Sequence, residues 1–200
     1  MFNLRSRFAA IVLVLIYMGT IMSFDALLKP ARAMTLCALT AGLIGCSSEG
    51  DKPTGQPSFY HSMAAANVRV DARVAASMIS GYRRNNGLGI VTLDGHLMRL
   101  AEEQARAMAS RNRFDHDAAG PFNQRIKRSG YDAKVAVENI GAGYHTLAEA
   151  FSGWRDSPPH RANMLHSGVT KMGIATVFAP NSKYKVFWAL ILAAPDDRRR

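Results

Sequence analysis

The sequence predicts an α+β domain of packed helical and sheet layers, and three observations lead to this fold class. Apolar residues recur every three or four positions in two segments between residues 72 and 108, which is the period of amphipathic helices. Two β-rich segments, residues 171–178 and 184–192, follow near the end of the chain, and a short loop with Pro180 separates them as in a hairpin. Helices and strands seldom alternate, which favours α+β over α/β.

An aspartate precedes each of the two long predicted helices. Asp71 can cap the first helix, and Asn85-Asn86-Gly87 ends it. Asp94 leads into the second helix. The predicted buried face of the first helix comprises Val74, Ala75, Met78, Ile79 and Tyr82, and that of the second comprises Leu97, Leu100, Ala101, Gln104, Ala105 and Met108.

The middle of the domain is predicted to hold a short helix and a short strand. Pro121, at a first-turn position, begins the helix, which ends near Gly130. Residues 135–137 are strand-like and lead to Glu138. Residues 186–192 are apolar almost throughout, as expected of a strand buried on both faces.

The stretch from Glu138 to Gly173 carries the functional interpretation. Thr146 and Glu149 have the spacing of a capping box at the start of a further helix, with Trp154 on its apolar face. Two prolines, residues 158 and 159, are predicted to end this helix. His160 follows them, on a turn that would hold its ring for chemistry or ligation.

Three polar residues stand out because each lies beside a predicted turn: His116, Glu138 and His160. Two imidazoles and a carboxylate can bind zinc and leave a position for water. The same groups can act as a base and an acid around a substrate. Histidines that only form structural hydrogen bonds are the third interpretation, and spacing does not choose among the three.

The segment W-x-x-S-x-x-H-R-x-N-M-L, preceded by E-N-I and followed by K-M-G-I, resembles the CAP superfamily of cysteine-rich secretory, antigen 5 and plant pathogenesis-related proteins. The resemblance is to the short, cysteine-free bacterial form, the SCP domain, over about residues 70–194. It implies a three-layer α-β-α sandwich with a mainly antiparallel sheet. It also implies a cleft lined by two histidines and two glutamates.

His116, Glu138 and His160 match three of those four cleft positions, whereas Ser157 occupies the fourth. One carboxylate is therefore missing, which argues against tight metal binding. Three residues are expected at the rim of the cleft: Asp156, Ser157 and His145. Three are expected to support the loop that holds His160: Arg161, Asn163 and Trp154. No catalytic residue is assigned.

The N-terminal 45 residues are predicted to be a leader of the lipoprotein type. Residues 8–22 and 33–45 are apolar, follow basic residues, and are shorter than the roughly 20 residues of a membrane span. The second segment ends in Leu43-Ile44-Gly45-Cys46-Ser47, which resembles a bacterial lipobox with Cys46 as the lipidated residue. Cleavage after residue 33 and a membrane anchor are the alternatives, and the chain could start at Met1 or Met22.

The predicted order along the chain is the leader (1–45), lipidated Cys46 with a flexible tether (46–69), the CAP domain (70–194) and a basic tail (195–200). Lys and Arg exceed Asp and Glu by 25 to 15, for a formal net charge of +10. We interpret the excess as a solvated basic surface and expect no nucleic-acid partner, because no basic run is interleaved with aromatic residues. Both cysteines precede the domain, which therefore has no disulfide and no thiolate site.

Three function classes follow from these observations. The first is a non-enzymatic binding module for a small apolar, lipid or envelope ligand, with no required cofactor. The second is a hydrolase of peptide or cell-wall material assisted by a weakly bound zinc or other divalent ion. The third is an interaction scaffold with a vestigial cleft. The missing carboxylate favours the first, in a monomer that is anchored by lipid in the cell envelope (the outer membrane in a Gram-negative cell) or secreted.

Overall fold

The computed structural model describes residues 55–196. In this part of the chain a 3-10 helix, Ser58–Tyr60, precedes five α-helices and four β-strands. In chain order these are α1 (Ala72–Asn85), β1 (Thr92–Leu93), α2 (Gly95–Ser110), α3 (Phe122–Arg128), β2 (Ala133–Ala142), α4 (Leu147–Asp156), α5 (Pro158–Met164), β3 (Lys171–Ala179) and β4 (Lys185–Pro195).

The four strands form one mixed sheet in the order β1-β3-β4-β2. β3 and β4 are the predicted antiparallel hairpin, and β2 pairs antiparallel with the other side of β4. β1, which has two residues and was too short to predict, is parallel to β3. The predicted α+β sandwich with a mainly antiparallel sheet is therefore confirmed, although the sheet is not purely antiparallel.

β4 divides the interior into two layers because its side chains alternate between the two faces of the sheet. Trp188, Leu190 and Leu192 pack in one core with residues of α1, α4 and α5. Ala189, Ile191 and Ala193 pack in the other core with residues of α2 and α3. The strand is buried on both faces, as predicted from its apolar sequence.

Side chains cap the starts of three helices, and the two caps that were predicted, Asp71 and the Thr146–Glu149 box, are confirmed. Asp71 and Asp94 each accept two backbone N–H bonds at the starts of α1 and α2, at 2.8 to 3.2 Å. Thr146 and Glu149 form the capping box of α4. Pro121 is a correction: it occupies the N-cap position of α3, not the first turn, because its ψ angle of 132° is extended.

Arg83 of α1 fixes the segment that follows α5. Its side chain is buried, and its guanidinium donates four hydrogen bonds of 2.8 to 3.1 Å to backbone carbonyls. The acceptors are the carbonyls of Gly89, Met164, His166 and Val169. These bonds hold the C-terminal end of α5 against α1, so the helix that carries His160 is anchored.

The packed part of the fold begins before residue 70. Met63 is buried in the core beside α1 and α4, and its N–H donates to the carbonyl of His145 at 2.7 Å. Part of the predicted tether thus contacts the domain, while the domain boundary at residue 70 stays a prediction. The predicted leader and Cys46 lie outside the described residues. Between residues 55 and 196, no helix has the length and apolar character that crossing a bilayer requires.

Candidate functional site

Glu138 lies inside β2, not just after a strand as predicted. The pairing of β2 with β4 continues through Glu138, which is opposite Ile191, to Ala142. One carboxylate oxygen accepts a hydrogen bond from His116 Nδ1 at 2.9 Å, and the other accepts one from Arg125 Nη2 at 2.6 Å. The side chains of Glu138 and Arg125 are 2% and 0% exposed, so they form a buried ion pair.

His116 lies on the loop between α2 and α3, where two buried polar side chains hold the backbone. Gln104 of α2 donates to the carbonyls of Asp115 and His116 at 2.8 and 3.1 Å. Arg125 also donates to the carbonyl of His116, at 3.3 Å. The loop is thus fixed to both neighbouring helices, while the imidazole itself is half-exposed.

His160 lies in the first turn of α5, which corrects the prediction of a turn. Pro158 and Pro159 begin this helix instead of only ending α4, because proline lacks the N–H that a first helical turn leaves unpaired anyway. Ser157 alone separates the two helices. Its hydroxyl is 2.9 Å from His160 Nδ1.

Two asparagines link the surroundings of His116 and Glu138 to those of His160 across β2. Asn139 donates to the carbonyl of His160 at 2.9 Å. Asn163 donates to the carbonyl of Glu138 and to the side-chain oxygen of Asn139, at 3.0 and 2.9 Å. Glu138 and Asn139 are adjacent in a strand, so their side chains point to opposite faces of the sheet. His116 and His160 therefore approach the same point of β2 from the two helical layers.

The other predicted site residues have separate places in the structure. Asp156 pairs with Arg155 at 2.8 Å and not with either histidine. The backbone of His145 bonds to Met63 and to the Glu149 carboxylate. Arg161 donates to the carbonyl of Arg155 at 3.2 Å. Trp154 is buried, and its indole N–H donates to the carbonyl of Ile140 at 2.9 Å.

The donor set does not fit a metal ion. Both oxygens of Glu138 already accept hydrogen bonds, one of them from a guanidinium whose positive charge repels a cation. His160 is paired with a hydroxyl in place of a second carboxylate. Among residues 55–196, no three side chains of His, Cys, Asp or Glu are arranged to hold a metal. The predicted trio is divided into two hydrogen-bonded groups.

Arg125 was not predicted from the sequence, although it contacts both His116 and Glu138. We call His116, Glu138 and His160, with the side chains that hold them, the histidine cluster. Arg125 lies among other basic residues of α3, and its buried partner is 13 positions away in the sequence. Asn139 entered the sequence analysis only as the middle residue of the E-N-I segment, without a predicted role. The sequence gives a weak indication that Gln104 forms buried hydrogen bonds, because it is a polar residue in the otherwise apolar buried face of its helix.

The two histidines have opposite pKa shifts. The hydrogen bond that His116 donates to Glu138 raises the pKa of His116 above its ordinary value of 6.5, although burial and Arg125 oppose this effect. Burial lowers the pKa of His160 below 6.5, and the charge of nearby His116 lowers it further. Between the two values the cluster holds a charged His116 and a neutral His160.

NMR titration of the imidazole resonances can check that the pKa of His116 is higher than that of His160. We expect the midpoint of His116 above about 6.5 and that of His160 below it. Glu138→Gln should bring the His116 midpoint back toward 6.5, because glutamine keeps the shape but removes the charge. A His160 midpoint above that of His116 would contradict the arrangement.

The two shifts act on folding stability in opposite directions. The raised pKa of His116 stabilises the fold below about pH 6.5, and this contribution is lost as the pH rises through the folded-state value. The lowered pKa of His160 has the reverse effect, because stability falls as the pH drops below about 6.5 and the unfolded chain takes up the proton.

Residues 76–192 match the model of the cysteine-rich secretory protein family, CAP, which covers more than half of the chain. The uncharacterized protein YkwD of Bacillus subtilis (strain 168) is 29% identical over 117 residues. That match covers 57% of this chain and 45% of YkwD, so the chain spans less than half of its relative.

Solved structures share the fold. An extracellular SCP-domain protein of Bacillus anthracis has a TM-score of 0.53 at 24% identity, over 60% of this chain and 39% of that one. An outer surface protein of Borrelia burgdorferi has a TM-score of 0.58 at 18% identity, over 63% of this chain and 93% of that one. With the match to the family model, these likenesses lead to one conclusion: the chain belongs to the cysteine-rich secretory protein family, CAP.

Proposed function

We propose that this CAP protein is an envelope-anchored or secreted binding module. Its ligand, a small apolar molecule, a lipid or an envelope component, contacts the two histidines, His116 and His160, without being chemically changed, while Glu138 holds His116 from inside the fold. The observation that carries this proposal is the burial and pairing of Glu138. Its side chain is 2% exposed, and its two oxygens accept hydrogen bonds from His116 and from the Arg125 guanidinium, so the carboxylate is shielded from a substrate and its charge is already balanced.

The environment of His160 also supports binding over catalysis. A hydrolase that used Ser157 as a nucleophile would need a third group to orient the imidazole, as the acid of a catalytic triad does. The nearest candidate in sequence, Asp156, is exposed and paired with Arg155. The contact between Ser157 and His160 is the one observation that favours a hydrolase, and it calls for no metal.

The proposal predicts a bound molecule that depends on both histidines. The full-length chain is purified in detergent, and co-purifying molecules are extracted and identified by mass spectrometry. We expect an apolar or envelope-derived ligand whose amount falls at least about tenfold in the double variant His116→Ala/His160→Ala. His61→Ala is the matched control, because His61 is exposed and its side chain hydrogen-bonds to the carbonyl of Gln56, away from both histidines of the site.

Two results would contradict the proposal. Equal ligand content in the wild type and the double variant would show that ligand binding does not depend on the two histidines. Turnover of casein or peptidoglycan that His160→Ala abolishes would establish a hydrolase instead. Zinc uptake that the same variant removes would add the metal-assisted form of that reaction.

A further inference from the structure

β2 is an edge strand of the described sheet, and its outward backbone groups can be identified. Residues of an antiparallel strand point their N–H and C=O groups alternately toward and away from the neighbouring strand. The carbonyls of Glu138 and Ile140 accept side-chain bonds from Asn163 and Trp154, at 3.0 and 2.9 Å. The backbone N–H and C=O groups of Glu138 and Ile140 therefore point away from β4. Those of Ala136, two residues before Glu138, point the same way.

The partner strand gives the same orientation independently. Ala136 is opposite Ala193 in the register of β2 and β4. The carbonyl of Ala193 accepts a bond from the N–H of Thr170, on the β3 side of the sheet. Ala193 thus points to β3, and the facing Ala136 points outward. Between residues 55 and 196, no hydrogen bond to the outward groups of Ala136 is present.

A groove borders this open half of the edge. Its volume is about 720 Å³, within the roughly 300 to 1,000 Å³ of ligand sites. It is lined by α3, by the turn at residues 130–132 and by residues 133–136 of β2. Asn163 and Trp154 close the edge beyond it, so the side chains of α5 and α4 leave one stretch of β2 accessible.

Two lysines give the groove its charge. Lys127 of α3 and Lys134 of β2 both line it, and neither forms an ion pair with any residue of the described range. Asp132 is the acidic lining residue. The charge at the mouth of the groove therefore favours an acidic ligand over a basic one.

We propose that the N-terminal half of β2 is a docking site for an extended peptide segment with acidic side chains. The segment adds to the sheet as a further strand, with backbone hydrogen bonds to the outward N–H and C=O of Ala136. Lys127 and Lys134 select its acidic side chains. A peptide fits better than a lipid, because an open strand edge presents alternating donors and acceptors that another strand matches.

This site is separate from the histidine cluster and goes beyond the proposed function. An exposed lysine on an edge strand is also a common device against unwanted strand pairing. The two roles of Lys134 predict different outcomes. A lysine that only protects the edge excludes every added strand, whereas a selective site accepts acidic peptides.

The test is selection from a random heptapeptide phage library on the full-length chain in detergent. We expect enrichment of acidic, proline-free peptides that compete with one another. Binding of a synthetic enriched peptide should weaken at least about tenfold for Lys127→Glu/Lys134→Glu. Binding of this peptide should also shift the backbone amide resonances of residues 134–136, and the affinity should be unchanged in His61→Ala, which lies outside both sites.

A control on the ligand side avoids any effect on protein folding. Each backbone nitrogen of the enriched peptide is methylated in turn, which removes one strand donor at a time. Loss of binding at alternate positions supports strand addition. No enrichment, enrichment of basic peptides, equal binding by the double variant, or concentration-dependent dimerisation through β2 would each overturn the proposal.

Discussion

Gly173→Ala is expected to abolish or severely weaken folding. Gly173 lies in β3 where α2 crosses the sheet, and an added Cβ would overlap the backbone carbonyl of Leu97 and the nitrogen of Met98. A helix backbone cannot move aside as a flexible side chain can. Overpacking in a core costs about 1–3 kcal/mol and sometimes more, and we expect at least the upper end here. Chemical denaturation of the purified variant measures the loss.

Gly81→Ala is the matched control for this prediction. Gly81 is inside α1, and apart from its chain neighbours and the backbone of its own helix, no described atom lies within 4 Å of the position that an added Cβ would take. Alanine in a helix interior is more favourable than glycine by roughly 0.5–1 kcal/mol, so this variant should be slightly more stable. A free energy of unfolding for Gly173→Ala within about 1 kcal/mol of the wild type would show that α2 can shift.

Arg125→Met is the second change with a large expected effect. It removes the guanidinium from the buried carboxylate of Glu138, whose side chain is 2% exposed, and leaves His116 as the remaining partner of that charge among residues 55–196. Breaking a buried pair in this way costs about 3–5 kcal/mol. The double variant Arg125→Met/Glu138→Gln should recover part of that loss, because no unpaired charge remains.

Arg128→Met supplies the comparison from the same helix. Arg128 pairs with Glu103 at 3.1 Å, but their side chains are 59% and 47% exposed. An exposed pair contributes about 0–1 kcal/mol, so this variant should unfold almost as the wild type does. If Arg125→Met costs no more than Arg128→Met, the ion pair does not hold the cluster together.

Local patterns were sufficient to predict most of the fold. Asp71 and Asp94 precede periodic apolar segments, and the Thr146–Glu149 box begins a third, so the capping groups and the helices they start lie within a few residues of each other. The hairpin of β3 and β4 is also local. β1 could not be predicted because two residues carry no periodicity, and its partner β3 lies about 80 positions away.

The site was predicted less completely because its decisive contacts are distant in sequence. Glu138 and Asn139 look like the polar end of a strand, yet each faces a different helical layer across an edge strand. Arg83 reaches carbonyls 81 to 86 positions away, which no spacing rule indicates. The proline pair at residues 158 and 159 was predicted as a stop, whereas proline is equally suited to the first turn of the next helix.

The position of β4 has a consequence for how the chain acquires its structure during synthesis. β4 comes after every other described element, yet both β2 and β3 pair with it. Until residues 185–195 have left the ribosome, the central strand between the two helical layers is missing, and β2 and β3 cannot be joined into one sheet. Native contacts of such long sequence separation form late and slowly. A nascent chain that ends before residue 185 therefore exposes its apolar faces together, as a substrate for chaperones and proteases.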